Sequence, residues 1–239
     1  MTRINEYENI ELIIKYNNHI SLWLVEDNSG KEFEILTIKV KNDTKSVIKR
    51  VLRNEVSSLV NQYKNGVQTV VGYDFDESND QYYIVYENSQ IEFQPITNFN
   101  KQNLLGFINT LNNLKKENRF GFIIHPNTLL VDKENNTLIK FVGLFEIFKA
   151  YNLLHKDYLS QEVLDNKIPK IQDDIYAIGK MYFNYLISKV DISKYVSEKN
   201  EVRYSKYRDV LENIEGIFEV DNDQNTRETI QIVSQEQEK

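Results

Sequence analysis

The stretch "KEFEILTIKVKNDTKSVIKRVLRNEVSSLV", Lys31–Val60, contains the change of pattern on which the fold depends. Its first ten residues are rich in β-branched and aromatic side chains, which suit a pleated, half-buried strand. Beyond the polar "KNDTK" the apolar residues take helical spacing, with Val51 or Leu52, Val56, Leu59, Val60 and Tyr63 along one face. A strand therefore runs into a helix. Upstream, "ELIIKY" and "HISLWLVED" have the same strand chemistry, and the "DNSGK" turn joins the second to the strand at 31–40. Downstream, "QTVVGYDFDESNDQYYIVYEN" returns to strands, with "DESND" as the turn of a hairpin. The first 90 residues thus read as three strands, a helix and two strands.

The pattern changes again after "NSQIEFQPITNFN". Leu104, Leu105, Ile108, Leu111 and Leu114 form an amphipathic helix that ends near "KKENRFG". "GFIIHPNTLLVD" follows, then the turn "DKENN" and "TLIKFVGLF" as a strand. "DDIYAIGKMYFNYLI" sets Ile175, Ile178, Tyr182 and Leu186 on one face behind an acidic start, as a helix N-terminus favours. "KYRDVLENIEGIF" and "ETIQIVSQEQEK" read as two further helices, the last fraying into a charged tail from about residue 232. The expected architecture is α+β in two lobes, a β-rich one over 1–90 and a helical one over 91–239.

Composition narrows the function classes. The chain has 239 residues, 41% of them apolar, enough for a substantial core. A net charge of −7 argues against a nucleic-acid partner, because phosphate binding needs a concentrated basic face. No apolar run approaches the ~20 residues of a membrane span, and no signal peptide is visible at the start. The sequence predicts a cytoplasmic protein. With no cysteine there is no disulfide, thiolate metal site or cysteine nucleophile. The three histidines, 19, 125 and 155, lack metal-ligand spacing, so no metal site is expected.

In this order the elements resemble a protein kinase-like bilobal fold over about residues 10–235. "EILTIKV" resembles the strand whose lysine binds nucleotide phosphates, which puts Lys39 in that place. "RNEVSSLVNQY" resembles the following helix, with Glu55, sixteen residues on, as the glutamate that pairs with the lysine. "YYIVYEN" resembles the strand entering the hinge. In "YLSQEVLDNK" and "DDIYAIGKMYFNYL", Glu162 takes the place of the A-P-E glutamate and Asp174 that of the central helix's aspartate. Arg227 takes the place of the arginine that pairs with Glu162.

The catalytic positions depart from the family. Phosphoryl transfer needs a carboxylate to take the hydroxyl proton and ligands to hold Mg²⁺. With Asn127 in the asparagine place of H-R-D-x-x-x-x-N, Phe122 stands where the aspartate belongs. Where D-F-G should follow the next strand, "KFVGLF" offers Gly143, Leu144 and Phe145. The glycine-rich first turn is replaced by "YNNHISLW". The resemblance implies a pseudokinase: no catalytic residue, no cofactor, and a protein partner that it scaffolds or regulates. Lys39, Glu55 and Asn127 would form any residual ATP site. The alternative is an atypical kinase using Glu146, Asp132 or Asp157. A local resemblance of "YYIVYEN…DKENN" to the cytoplasmic pseudokinase-like domain of a type VII secretion membrane component implies instead a soluble assembly module in peripheral contact with a membrane complex. A third reading is a sheet-plus-helix domain with no link to kinases.

Overall fold

The computed structural model describes residues 7–189 apart from 42, 90 and 91. Arg227 and the two last helices expected from the sequence lie outside these residues. Five antiparallel strands form the first sheet: β1 (Tyr7–Lys15), β2 (Ile20–Asp27), β3 (Glu32–Lys39), β4 (Val70–Asp76) and β5 (Gln81–Glu87). They lie in the order β1-β2-β3-β5-β4. Asp27 closes the β2–β3 turn, its Oδ1 accepting from the backbone N–H of Ser29 (2.9 Å) and Lys31 (3.0 Å). Asp76 does the same for β4–β5, accepting from Ser78 N–H at 2.9 Å.

Between β3 and β4 runs one irregular helical segment. It begins as α1 (Lys45–Val51), widens into a π-helical turn at Leu52–Val56 and tightens into a 3₁₀ turn at Ser57–Leu59. Successive side chains of a strand point to opposite faces. On β3 the phase of Leu36 and Ile38 turns inward, against Ile48, Leu52 and Val56. The phase of Phe33 and Ile35 turns outward, where these residues cluster with Tyr7, Val25, Tyr83 and Val85.

The rest is mainly helical. A short sheet in the order β6-β7-β8 comprises β6 (Gln94–Pro95), β7 (Leu129–Val131) and β8 (Thr137–Ile139). Helix α2 (Lys101–Lys116) starts at a capping box in which Asn100 and Asn103 exchange side-chain and backbone bonds. Then come α3 (Phe145–Ala150), α4 (Gln161–Leu164) and α5 (Ile171–Lys189). The strand expected over "TLIKFVGLF" stops at Ile139. Phe141 and Gly143 have φ of +59° and +84°, which breaks the extended chain and turns it into α3. One buried apolar cluster runs from Ile20 through Leu104 and Phe148 to Phe183, so sheet and helices share a core. Among the described residues no helix is long and apolar enough to cross a membrane.

Candidate functional site

The junction between the five-stranded sheet and the helical part is closed by a buried ion pair. Glu34 falls on the inward phase of β3 with Leu36 and Ile38, and none of its surface is exposed. Lys140, one residue past β8, brings its ammonium onto Glu34 Oε2. Gln68 Nε2 donates to the same oxygen at 3.1 Å, while Ser89 donates to Oε1 from its N–H (3.1 Å) and its hydroxyl (2.7 Å). Such a set is what a buried carboxylate requires, because an unpaired ion in the interior is far costlier than a paired one. Burial lowers the pKa of Lys140, and the charge and hydrogen bond of Glu34 pull it back up.

Aromatic rings surround the pair. Phe141 stacks on Phe148 at 5.8 Å and meets Tyr16 and Tyr86 edge-on at 6.2 and 5.7 Å. The Tyr16 and Tyr86 hydroxyls are buried and meet no hydrogen-bond partner among the described residues. Desolvation, and then the negative charge of Glu34, push both phenols well above their ordinary range. The chain's own side chains fill the junction around this pair, while a cavity of about 560 Å³ lined by Gln68, Glu87 and Ser89 on one side and by Asp132 and Thr137 on the other opens beside it.

The second element is the connection from α2 to β7. Gly121 takes φ +76°, a conformation that costs glycine little. Its N–H donates to Asp174 Oδ2 at 2.9 Å, and Phe122 N–H donates to Oδ1 at 2.7 Å. Asp174 sits in the first turn of α5 and is only 3% exposed. Burial pushes its pKa up to about 8, against the two backbone N–H bonds that favour the carboxylate, while Asp173 adds a smaller upward push. Phe122, Ile123 and Ile124 follow as buried residues. His125 then turns outward and stacks on His155, ring centroids 3.8 Å apart, with Tyr158 edge-on at 6.1 Å. Its Nδ1 accepts the Asn127 N–H at 3.2 Å. Burial, and then His155, lower the His125 pKa to about 4.

The structure does not bring Lys39 and Glu55 together. Lys39 ends β3 on the outward phase, exposed and without an ion pair among the described residues. Its carbonyl rather than its amine joins the junction, accepting from the Tyr151 hydroxyl at 2.7 Å. Glu55 lies in the π-helical turn with its carboxylate 3.5 Å from Arg119 Nη1. Gly143 packs so closely there that a β-carbon on it would stand 2.9 Å from Glu55 Cβ. Asn127 is exposed on its turn. Glu162, on the surface of α4, lies 3.6 Å from Lys167 and 3.8 Å from Lys170. Of the displaced candidates, Asp132 accepts from Glu134 N–H and Asn136 N–H, both at 2.8 Å, within its own turn. Glu146 is half-buried in the first turn of α3, and Asp157 is exposed. Among the described residues no three His, Asp or Glu side chains gather as a ligand set for a metal ion.

Glu34, Lys140, Gln68 and Ser89 are the polar residues that motif reading passes over. Their signal is a charged residue on the apolar phase of a strand, as in "EFEILTIK", or within an apolar run, as in "TLIKFVG". No protein-family model and no curated protein matches the chain.

Proposed function

We propose that the chain is a protein kinase-like module without phosphotransfer activity that acts by binding another protein. The observation that carries this reading is the Glu34–Lys140 pair inside its ring of Tyr16, Tyr86, Phe141 and Phe148. In a kinase the space between the lobes holds nucleotide, metal and the residues that grip them. Here the buried centre of that junction is taken up by a charge pair that neutralises itself and by packed aromatic rings. Phe122, which stands in the place of the proton acceptor, is buried and has no group to accept a proton.

Two features support the kinase-like part of the reading. The five-stranded antiparallel sheet carries its helix between the third and fourth strands, as the resemblance implies. Asp174, read as the central helix's aspartate, bonds the backbone of Gly121 and Phe122, at the head of the stretch read as the catalytic loop. Two sequence matches 52 residues apart are thereby joined in space.

Incubation with ATP and Mg²⁺ or Mn²⁺, followed by intact-mass analysis, tests the reading. No added phosphate or AMP is expected, and no shift of thermal midpoint with nucleotide. Transfer that Glu146→Ala or Lys39→Ala abolishes would overturn it.

A further inference from the structure

The outward face of the sheet carries a groove that differs in charge from the chain as a whole. Ile10, Leu12, Trp23, Lys15, Lys39 and His19 contribute to its lining, which encloses about 470 Å³ and contains no carboxylate. Strand phase explains this: Leu12 pairs with Trp23 on the outward phase, while Glu8 and Glu11 pair with Glu26 and Leu24 on the other. Ile10 and Leu12 are 53% and 45% exposed, unusual for large apolar residues in the middle of a strand. Lys15 and Lys39 are exposed and, among the described residues, engaged in no ion pair. Two free ammonium groups beside an apolar strip, on a chain of net charge −7, form a local site of opposite sign.

The strand under this strip is also open along one side. Among the described residues β1 is hydrogen-bonded only to β2. Bulges interrupt that pairing between Glu8 and Glu11 and between Leu12 and Ile14. An edge strand can accept an extended segment as a further strand; main-chain bonds then supply affinity and alternate side chains supply selectivity.

We propose that the β1 edge and the groove beside it dock an extended acidic segment of a partner protein. Its apolar side chains would lie on Ile10, Leu12 and Trp23, and its carboxylates would meet Lys15 and Lys39. This rests on the reading of the chain as a binding module and names the surface and the partner chemistry. It also gives Lys39 a use that does not involve nucleotide.

Trp23 is the one tryptophan of the sequence, so its fluorescence reports occupancy of the groove. The probe is a synthetic peptide of β1's own length, nine residues, alternating glutamate with valine or isoleucine. The control replaces each glutamate by lysine. The acidic peptide is expected to shift Trp23 emission saturably, with affinity falling as salt rises, and the control to give no saturable shift. Lys15→Glu with Lys39→Glu should weaken binding tenfold or more, and Leu12→Ser should weaken it without altering the salt dependence. All three substitutions are at exposed positions, and unchanged melting of each variant shows that the fold persists. Equal binding of both peptides, no binding, indifference to the lysine reversals, or preference for phosphatidylserine vesicles over the peptide would each overturn the proposal. Phosphate transfer in the mass assay would remove the non-catalytic reading and leave this titration standing. Failure of the peptide would remove the docking surface and leave the filled cleft standing.

Discussion

Glu34 and Asp174 are both buried carboxylates at the joints of the fold, and they are held in different ways. Glu34 meets a cation and three neutral donors. Asp174 meets two backbone N–H groups and, among the described residues, no cation. The first arrangement fastens two parts of the chain by charge, and the loss of either partner leaves an ion with nothing opposite it. The second fastens a loop to a helix by geometry, and its strength depends on whether the carboxyl carries a proton. A buried acid thus does one of two jobs, according to what faces it.

The largest expected effect follows from breaking the first arrangement on one side. Lys140→Met leaves Glu34 buried and unpaired, so urea denaturation should show a loss of about 3–5 kcal/mol. A loss under ~1 kcal/mol would mean that the pair does not hold the junction.

Asp174→Asn comes next. The amide keeps one acceptor but turns its own N–H₂ toward the second backbone donor, at an expected cost of about 1.5–3 kcal/mol. Asp174 has a folded value of about 8 against an ordinary 3.8, so between those values the folded state holds a proton that the unfolded state has lost. Its contribution is complete below about pH 4 and disappears as pH rises through about 8. The stability gap between the native chain and Asp174→Asn should therefore narrow from pH 4 to pH 8 in parallel denaturation series. A gap that widens would show that the two N–H bonds outweigh burial and keep the group ionised.

Replacing both members of the pair, Glu34→Leu with Lys140→Met, should restore most of what Lys140→Met loses, to within about 1 kcal/mol of the native chain or better. A double variant no better than the single would move the importance from the charge to Glu34 itself. The smallest effect belongs to the exposed carboxylate of Glu162: Glu162→Ala should change stability by no more than about 0.5 kcal/mol.

Much of this architecture is readable in the sequence, because strands, turns and amphipathic helices are written in near neighbours. The switch of period in Lys31–Val60 marks the helix that interrupts the sheet, and the turns at Asp27 and Asp76 carry the residue types that close them. The apolar run Phe122–Ile124 reads as buried and is buried. Lys39 shows where such reading ends. A motif finds the lysine in "TIKV", but strand phase decides which face it takes, and Ile38 holds the inward position. The true inward charge, Glu34, looks like any strand glutamate until Lys140 is known to lie against it. The strand pattern likewise runs on through Phe141 and Gly143, whose positive φ values no local pattern announces.

The separation of Glu34 from Lys140, 106 residues, also bears on synthesis. At the ~5–20 residues added per second in translation, Glu34 waits on the order of 5–20 s for its cation. The sheet, whose residues end at Glu87, is finished well before then and carries an unneutralised acid on the face it must bury. Docking of the sheet is therefore expected only after residue 140 has left the ribosome. Arrested chains that expose the shared core through Phe183 should resist protease, and chains that stop short of residue 140 should not. A single lysine thus sets the earliest point at which the sheet is expected to dock.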